Sequence, residues 1–210
     1  MGNRTSRTDF NETWLMEMPS GINTLDAYET LVYNIKERIE YDANIIQLPN
    51  NLNKITGSTV LFYWYGDKDN IILATELRVA PEGLIVSLTG KDPNYKKTPP
   101  YASQLYDAII KDTHKALALL SDTKLSDEGY AIWKKLFDLG HRIMIYDRLN
   151  PGQSYKMCKS ITDMDQYFAH NNKDYEKYQY VLGEHEEMGD VLSIFGIRRA
   201  REICGLGTED

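Results

Sequence analysis

The stretch from residue 57 to residue 147 constrains the fold of this chain most strongly. Three short segments rich in β-branched and aromatic residues come first, at 58–65, 71–79 and 84–88, and this composition predicts three strands. Residues 97–102, KTPPYA, then open an amphipathic pattern that predicts a helix. A strand that leads into a turn at a helix N-terminus is a common place for binding a phosphate group.

The pattern continues with a short apolar run and a second amphipathic segment. Residues 116–120 are apolar without interruption, which is typical of a strand that is buried on both faces. Ser126 is a suitable N-cap for a helix that ends at Gly140, and residues 143–146 predict the next strand. Antiparallel strands followed by alternating strands and helices predict an α/β fold, with a mixed sheet flanked by helices.

Before this stretch, the sequence predicts one helix and one loop. Apolar residues recur at helical spacing between residues 25 and 39, which predicts a helix with one buried face. Three asparagines, Asn50, Asn51 and Asn53, predict a loop between this helix and the first strand.

The sequence divides into three parts. Residues 1–22 are expected to form an irregular arm, and residues 23–149 the core. Residues 150–210, which are richer in polar residues and tyrosine, are expected to form a C-terminal α/β extension packed on the core. Within this extension we expect a strand near 154–158, a short helix near 163–168, a strand near 178–184 and a helix near 189–203.

Composition and charge narrow the class of protein. With 210 residues, of which 42% are hydrophobic and 26% charged, the chain is long enough for one well-buried domain. Its net charge of −7 argues against a nucleic-acid partner held by general electrostatics, because such a surface is basic. Two cysteines are too few for a disulfide framework, so we expect a reduced, cytoplasmic protein.

Several motifs that would define a function class are missing from the sequence. The N-terminal residues lack the apolar region of a signal peptide, and no run of about 18 apolar residues predicts a membrane span. The histidines at 114, 141, 170 and 185 form no HExxH motif, so we predict no metal site. Neither a Walker loop nor a Gly-x-Ser-x-Gly motif is present, which leaves NTPase and hydrolase functions without support.

The element order and several short motifs resemble a known family. Residues 97–102 follow the third strand, residues 117–122, LALLSD, match the next strand, and residues 132–140, IWKKLFDLG, match a helix that ends in glycine. This combination, over roughly residues 24–147, is similar to the GNAT (GCN5-related N-acetyltransferase) fold. The SD pair together with the WKKL segment looks like the GNAT-like proteins that tailed bacteriophages encode.

The resemblance implies a binding loop for acetyl-CoA. In the family this loop has the form Q/R-x-x-G-x-G/A, and the helix after it supplies backbone N–H groups to coenzyme A. The candidate cofactor-binding residues here are Lys97, Thr98, Tyr101 and Ala102. Pro100 stands where the family has glycine, and Pro99 removes another N–H donor. Prolines also start helices well, so binding of acetyl-CoA and binding of no cofactor both stay open.

The resemblance also implies two catalytic groups. Family members often protonate the leaving thiolate with a tyrosine about one turn before the terminal glycine of the last helix, and Leu136 occupies that position here. Tyr130, about two turns earlier, is the candidate acid, and a place in the core is the alternative. A glutamate on the central strands often acts as base. Glu76 is the candidate, with Glu82 and a simple surface charge as the alternatives.

Two functions from different classes follow from the resemblance. The first is a GNAT-fold phage protein that acts as an acyl-CoA-dependent N-acyltransferase with a degenerate cofactor loop. The second is a catalytically inactive GNAT-fold protein that binds a host or virion protein, as a host-takeover factor or a virion component. The missing glycine and tyrosine favour the second. Both place the protein in the host cytoplasm or the virion, away from membranes, and the sequence leaves the oligomeric state open.

Overall fold

The structure is a computed structural model, and it describes residues 24–41, 43–57, 59–80, 82–113, 117–150, 156–169 and 171–183. These residues form four α-helices and nine strands. In chain order they are α1 (Thr24–Glu40), β1 (Ile45–Leu48), β2 (Leu52–Thr56), β3 (Val60–Gly66), β4 (Ile71–Ala80), β5 (Gly83–Lys91), α2 (Ala102–Asp112), β6 (Leu119–Leu120), α3 (Asp127–Asp138), β7 (Ile143–Asp147), β8 (Lys156–Met157), α4 (Ile161–Asp165) and β9 (Tyr178–Leu182).

The described strands form one sheet in the order β1-β2-β3-β4-β5-β6-β9-β7-β8. Neighbouring strands run antiparallel except β5 and β6, which are parallel. The sequence-based expectation of a mixed α/β sheet flanked by helices is therefore confirmed at the level of fold class. The first five strands form a meander, whereas the last four are ordered by connections between distant segments.

The three strands predicted between residues 58 and 88 are confirmed as β3, β4 and β5. The register of β4 against β5 shifts after Glu76, which pairs with Leu88, because Leu77 pairs with Val86. Ser87 is therefore the extra residue of a β-bulge in β5.

The prediction of a loop at Asn50, Asn51 and Asn53 is wrong for Asn53. Asn50 and Asn51 form the turn between β1 and β2 with φ angles of 63° and 59°, a conformation that asparagine tolerates. Asn53 lies inside β2, where it is buried, and its Nδ2 atom donates to the Gly66 carbonyl at 2.7 Å. Because a neighbouring strand satisfies the polar side chain, Asn53 fits in a strand despite its preference for turns.

The described part of the predicted C-terminal extension contributes strands to the same sheet. The elements β8, α4 and β9 lie close to the strand, the short helix and the strand that the sequence predicts there. Within the sheet, β9 lies between β6 and β7 and pairs antiparallel with both. The predicted arm at 1–22 and the predicted helix near 189–203 lie outside the described residues.

Helices cover both faces of the sheet. On one face, α1 packs on β3 and β4 in a cluster of Leu31, Ile35, Ile55, Phe62, Trp64, Ile71 and Ala74. On the other face, α2, α3 and α4 contribute Leu105, Ile109, Trp133 and Met164 to a second cluster. Successive side chains of a strand point to opposite faces of the sheet. Two neighbouring residues of one strand therefore contact different helices.

Gly90 of β5 lies where α1 comes closest to the sheet. A Cβ atom there would lie 2.5 Å from the N and Cα atoms of Tyr28 and 2.9 Å from the carbonyl carbon of Ala27. The Tyr28 hydroxyl donates to the Ile71 carbonyl at 2.7 Å, which holds the helix at this position. Backbone atoms cannot move aside as the end of a flexible side chain can, so this close approach requires glycine.

We expect Gly90→Ala to lower the free energy of unfolding by about 1–3 kcal/mol, because the added methyl group forces α1 away from the sheet. Urea denaturation followed by circular dichroism measures this change. Gly129→Ala in α3 is the matched control. Its methyl group would lie 3.1 Å from the end of the Leu125 side chain, and alanine favours helices, so we expect a change below about 1 kcal/mol. Equal losses of unfolding free energy in both variants would contradict the conclusion that the close approach of α1 requires glycine at position 90.

Candidate functional site

One edge of β5 is only partly paired with a neighbouring strand. The parallel strands β5 and β6 pair over only two residues, Leu84 with Leu119 and Ile85 with Leu120. Beyond Ile85, the edge of β5 that faces β6 has no strand partner in the described chain, although β5 continues to Lys91. This edge therefore offers backbone N–H and C=O groups outside the ladder of the sheet.

Ser121 directs the chain after β6 away from β5. Its N–H donates to the Tyr180 carbonyl at 2.8 Å, and its Oγ atom accepts the N–H of Tyr180 at 3.0 Å. The Gln179 side chain donates to the Ser121 carbonyl at 2.6 Å. Ser121 is fully buried and bonded to β9, and the pairing of β5 with β6 ends at Ile85. In α/β sheets, ligands commonly bind at the carboxyl ends of parallel strands.

Three hydroxyl groups form a chain on the α2 side of the open stretch of β5. The Thr75 hydroxyl donates to the Leu88 carbonyl at 2.8 Å and lies 2.8 Å from the Thr89 hydroxyl, which lies 2.8 Å from that of Tyr106. Because Thr75 uses its own proton on Leu88, Thr89 donates to Thr75 and Tyr106 donates to Thr89. Burial raises the pKa of Tyr106 to about 12, which keeps this donor protonated.

The loop between β5 and α2 closes on itself. The Lys91 ammonium donates to the Thr98 carbonyl and lies 4.8 Å from the centre of the Tyr101 ring. The Tyr101 hydroxyl donates to the Lys97 carbonyl at 3.1 Å, and the Thr98 hydroxyl donates to the Tyr95 carbonyl at 3.1 Å. Three of the predicted cofactor-binding residues, Lys97, Thr98 and Tyr101, thus take part in hydrogen bonds within the loop.

The N-terminus of α2 keeps two backbone donors. The two prolines before Tyr101 lack N–H groups, and the N–H of Tyr101 donates to Gln104 Oε1 at 2.8 Å. Ala102, the fourth predicted cofactor-binding residue, and Ser103 begin the helix, and their N–H groups have no acceptor among the described residues. Such N–H groups, aligned with the helix dipole, favour an anion.

Glu76, the candidate base, lies on the α1 face of β4. It pairs with Phe62 of β3 and Leu88 of β5. Its Oε2 atom accepts a hydrogen bond from the Asn34 side chain of α1 at 3.3 Å, and the residue is half-buried. This carboxylate is therefore held beneath α1.

Tyr130, the candidate acid, lies on the opposite face of the sheet. It is buried, its hydroxyl donates to Asp165 Oδ1 at 2.7 Å, and its ring stacks on Phe168 with the ring centres 4.1 Å apart. Burial and the hydrogen bond to Asp165 raise the pKa of Tyr130 above the ordinary range of tyrosine. These contacts join α3 to α4 and its neighbouring turn, which is a structural role.

The structure does not bring Glu76 and Tyr130 together, because the sheet separates them. The structure instead places Thr89 and Tyr106 in the hydroxyl chain beside the open stretch of β5, and Ser121 at the end of β6. Sequence reasoning assigned none of these three residues to a site. In the sequence, Tyr106 was only part of the amphipathic pattern that begins at residue 102, and Ser121 was only part of the SD pair after a predicted strand. Their hydrogen-bond partners are distant in sequence, so the local pattern carried no signal of the site.

No family model, no curated protein and no solved structure matches this chain. No helix in the described residues is both long enough and apolar enough to span a membrane. Within the same residues, His, Cys, Asp and Glu side chains form no group of three that could hold a metal ion.

We expect the stability of the protein to fall between pH 10 and pH 12, partly because of Tyr106. The folded state keeps this proton up to a pKa of about 12, whereas an unfolded tyrosine loses it near 10. The contribution is therefore fully present below pH 10 and is lost as the pH rises through 12. In Tyr106→Phe the free energy of unfolding should fall less steeply over this range, by up to about 1.4 kcal/mol per pH unit.

Urea denaturation at several pH values measures both slopes. Tyr33→Phe is the matched control, because the Tyr33 side chain on α1 is exposed, and its slope should equal that of the wild type. A Tyr106→Phe variant with the wild-type slope would contradict the assigned pKa of Tyr106.

Proposed function

We propose that this chain has a GNAT-type fold and is an acyl-CoA-dependent N-acyltransferase of the tailed-bacteriophage type. The observation that carries this proposal is the end of the β5–β6 pairing at Ile85. Beyond it, β5 continues toward the loop that leads into α2, with no strand partner on this edge among the described residues. The resemblance of residues 24–147 to the GNAT family assigns coenzyme A to the N-terminus of this helix. The open β5 edge supports the assignment because it offers backbone groups to a bound thioester.

The residues at this helix N-terminus fit an anion in part. The N–H groups of Ala102 and Ser103 suit a phosphate group, and the exposed Lys97 adds a positive charge. In the proposed reaction, an amine nitrogen attacks the thioester carbonyl carbon and the C–S bond breaks. The nitrogen loses one proton, and the leaving thiolate takes up one proton. The thiolate can take up the proton that the amine nitrogen releases, since Tyr106 and Tyr130 already donate their hydroxyl protons to Thr89 and Asp165.

The closed loop favours a second candidate function, in which the GNAT-type scaffold has lost acyl transfer and binds a host or virion protein. Lys91, Thr98 and Tyr101 are bonded within the loop, and the prolines remove two donors. Glu76 and Tyr130 on opposite faces leave no paired acid and base. A protein of this kind would act in the host cytoplasm or in the virion. The two functions differ in one measurable property, the binding of acetyl-CoA.

Thermal denaturation with acetyl-CoA separates the two functions. Binding at about 100 times Kd should raise the free energy of unfolding by about 2.7 kcal/mol, which is seen as a higher Tm. An unchanged Tm at millimolar acetyl-CoA would contradict the acyltransferase and leave the binding protein as the remaining candidate.

The variant Ala102→Pro tests the location of the site. Proline is well accommodated at the first position of a helix, and Tyr101 already has the extended backbone, with φ −102° and ψ 155°, that suits a residue before proline. The variant should fold normally and bind acetyl-CoA about tenfold more weakly or worse, because one hydrogen bond to a charged group is lost.

Ala102→Ser is the matched control for this experiment, since it keeps the N–H group and should bind acetyl-CoA as the wild type does. Isothermal titration calorimetry gives both affinities. Wild-type affinity in Ala102→Pro would show that acetyl-CoA binds elsewhere, and this outcome is distinct from the absence of any binding.

A further inference from the structure

The sheet of the described residues ends at two edge strands, β1 and β8. Edge strands offer backbone N–H and C=O groups to other chains, and many proteins protect such an edge with a charge, a proline, a bulge or a very short strand. Here β8 has only two residues, and Lys156, the first of them, is charged and exposed. The β8 edge is therefore protected, which directs attention to β1.

Strand β1 lacks most of these protective features. Its residues, IIQL, carry no charge and include no proline, and all four pair with β2 in one continuous register. Ile46 and Gln47 are exposed, and 36% of the Ile46 surface is accessible. No strand among the described residues pairs with the outer edge of β1. A regular, uncharged and exposed edge of this kind favours pairing with another strand.

The charge of the chain favours this edge as the place where two copies meet. Two copies that each have a net charge of −7 repel one another over most of their surfaces, whereas β1 brings no charge into the contact. Lys54, which lies opposite Ile46 in β2, forms an ion pair with Asp112 at 3.1 Å. Pairing of two β1 strands therefore places no like charges directly opposite each other, an arrangement that would be destabilising.

We propose that β1 pairs antiparallel with β1 of a second copy of this chain, in a symmetric dimer. In such an interface the same surface is used by both copies, so one residue of β1 lies opposite its own counterpart at the two-fold axis. The structure favours Ile46 at this position, because its exposed side chain then packs against the same side chain of the second copy. Ile45 of each copy then lies opposite Gln47 of the other.

The short length of β1 limits the strength of the dimer. Four residues from each copy bury less than the roughly 1,000 Å² that a stable interface needs. We therefore expect a weak dimer with a Kd between about 10 µM and about 1 mM. In the order of the sheet, β2, β3 and β4 separate β1 from β5, so the dimer does not depend on the proposed coenzyme A site.

Sedimentation equilibrium of the full chain, at concentrations from about 10 µM to about 1 mM, tests the proposal. We expect the average mass to rise with concentration from that of the monomer toward twice that value. Added salt should strengthen the association, because it screens the repulsion between the acidic copies. A chain that stays monomeric at about 1 mM would overturn the proposal, since the edge would then be left to a strand of a different protein.

The variants Ile46→Lys and Ile46→Glu test the position of the two-fold axis. Each variant places two like charges opposite each other, so each alone should dimerise about fivefold more weakly or worse. Mixed in equal amounts, the two variants should form a heterodimer, because lysine then lies opposite glutamate. Circular dichroism shows whether each variant is folded. A mixture that associates no more strongly than either variant alone would overturn the proposed pairing of Ile46 with its own counterpart.

Tyr33→Lys is the matched control for these variants. Tyr33 is exposed on α1, so this substitution adds the same charge to the surface and leaves β1 unchanged. The control should dimerise with the affinity of the wild type. Equal weakening in Tyr33→Lys and Ile46→Lys would overturn the proposal, because the loss of association would then be a general effect of charge and not of the β1 edge.

Discussion

The hydrogen bonds between Ser121 and β9 set the layout of the second half of the sheet. Ser121 is fully buried, and its N–H, Oγ and carbonyl groups all find partners on Tyr180 and Gln179. A buried polar group without a partner would cost about 1–3 kcal/mol. The chain after β6 therefore follows β9 and leaves β5 beyond Ile85. The open edge of β5, on which the proposed ligand site depends, is a consequence of this pairing.

The alternation of side chains along β4 limits what chemistry this edge can support. Thr75 and Glu76 are neighbours in β4, yet Thr75 bonds toward Tyr106 beneath α2, whereas Glu76 bonds to Asn34 of α1. A step of one residue moves a side chain to the other face of a sheet. The groups on the α2 side of this edge are therefore the bonded hydroxyls of Thr75, Thr89 and Tyr106, and the candidate carboxylate is on the other face.

Helix α2 begins at the proposed coenzyme A site. Its N-terminus presents the N–H groups of Ala102 and Ser103, and positive charge near its C-terminus, here Lys111, is favourable for the helix dipole. The loop before the helix satisfies many of its own polar groups internally, so a ligand there must compete with existing hydrogen bonds.

The sequence by itself determined β3, β4, β5 and the two long helices that follow, because helical and strand periodicity are local properties of the chain. It also determined, through Pro99 and Pro100, that the loop before α2 lacks two donors. Only the tertiary structure decided that β9 lies between β6 and β7, that Ser121 bonds to residues 58 and 59 positions away, and that Glu76 and Tyr130 lie on opposite faces. The physical reason is that strand pairing, and the face of the sheet on which a side chain lies, depend on contacts between distant segments. The local sequence pattern does not specify which segments make these contacts.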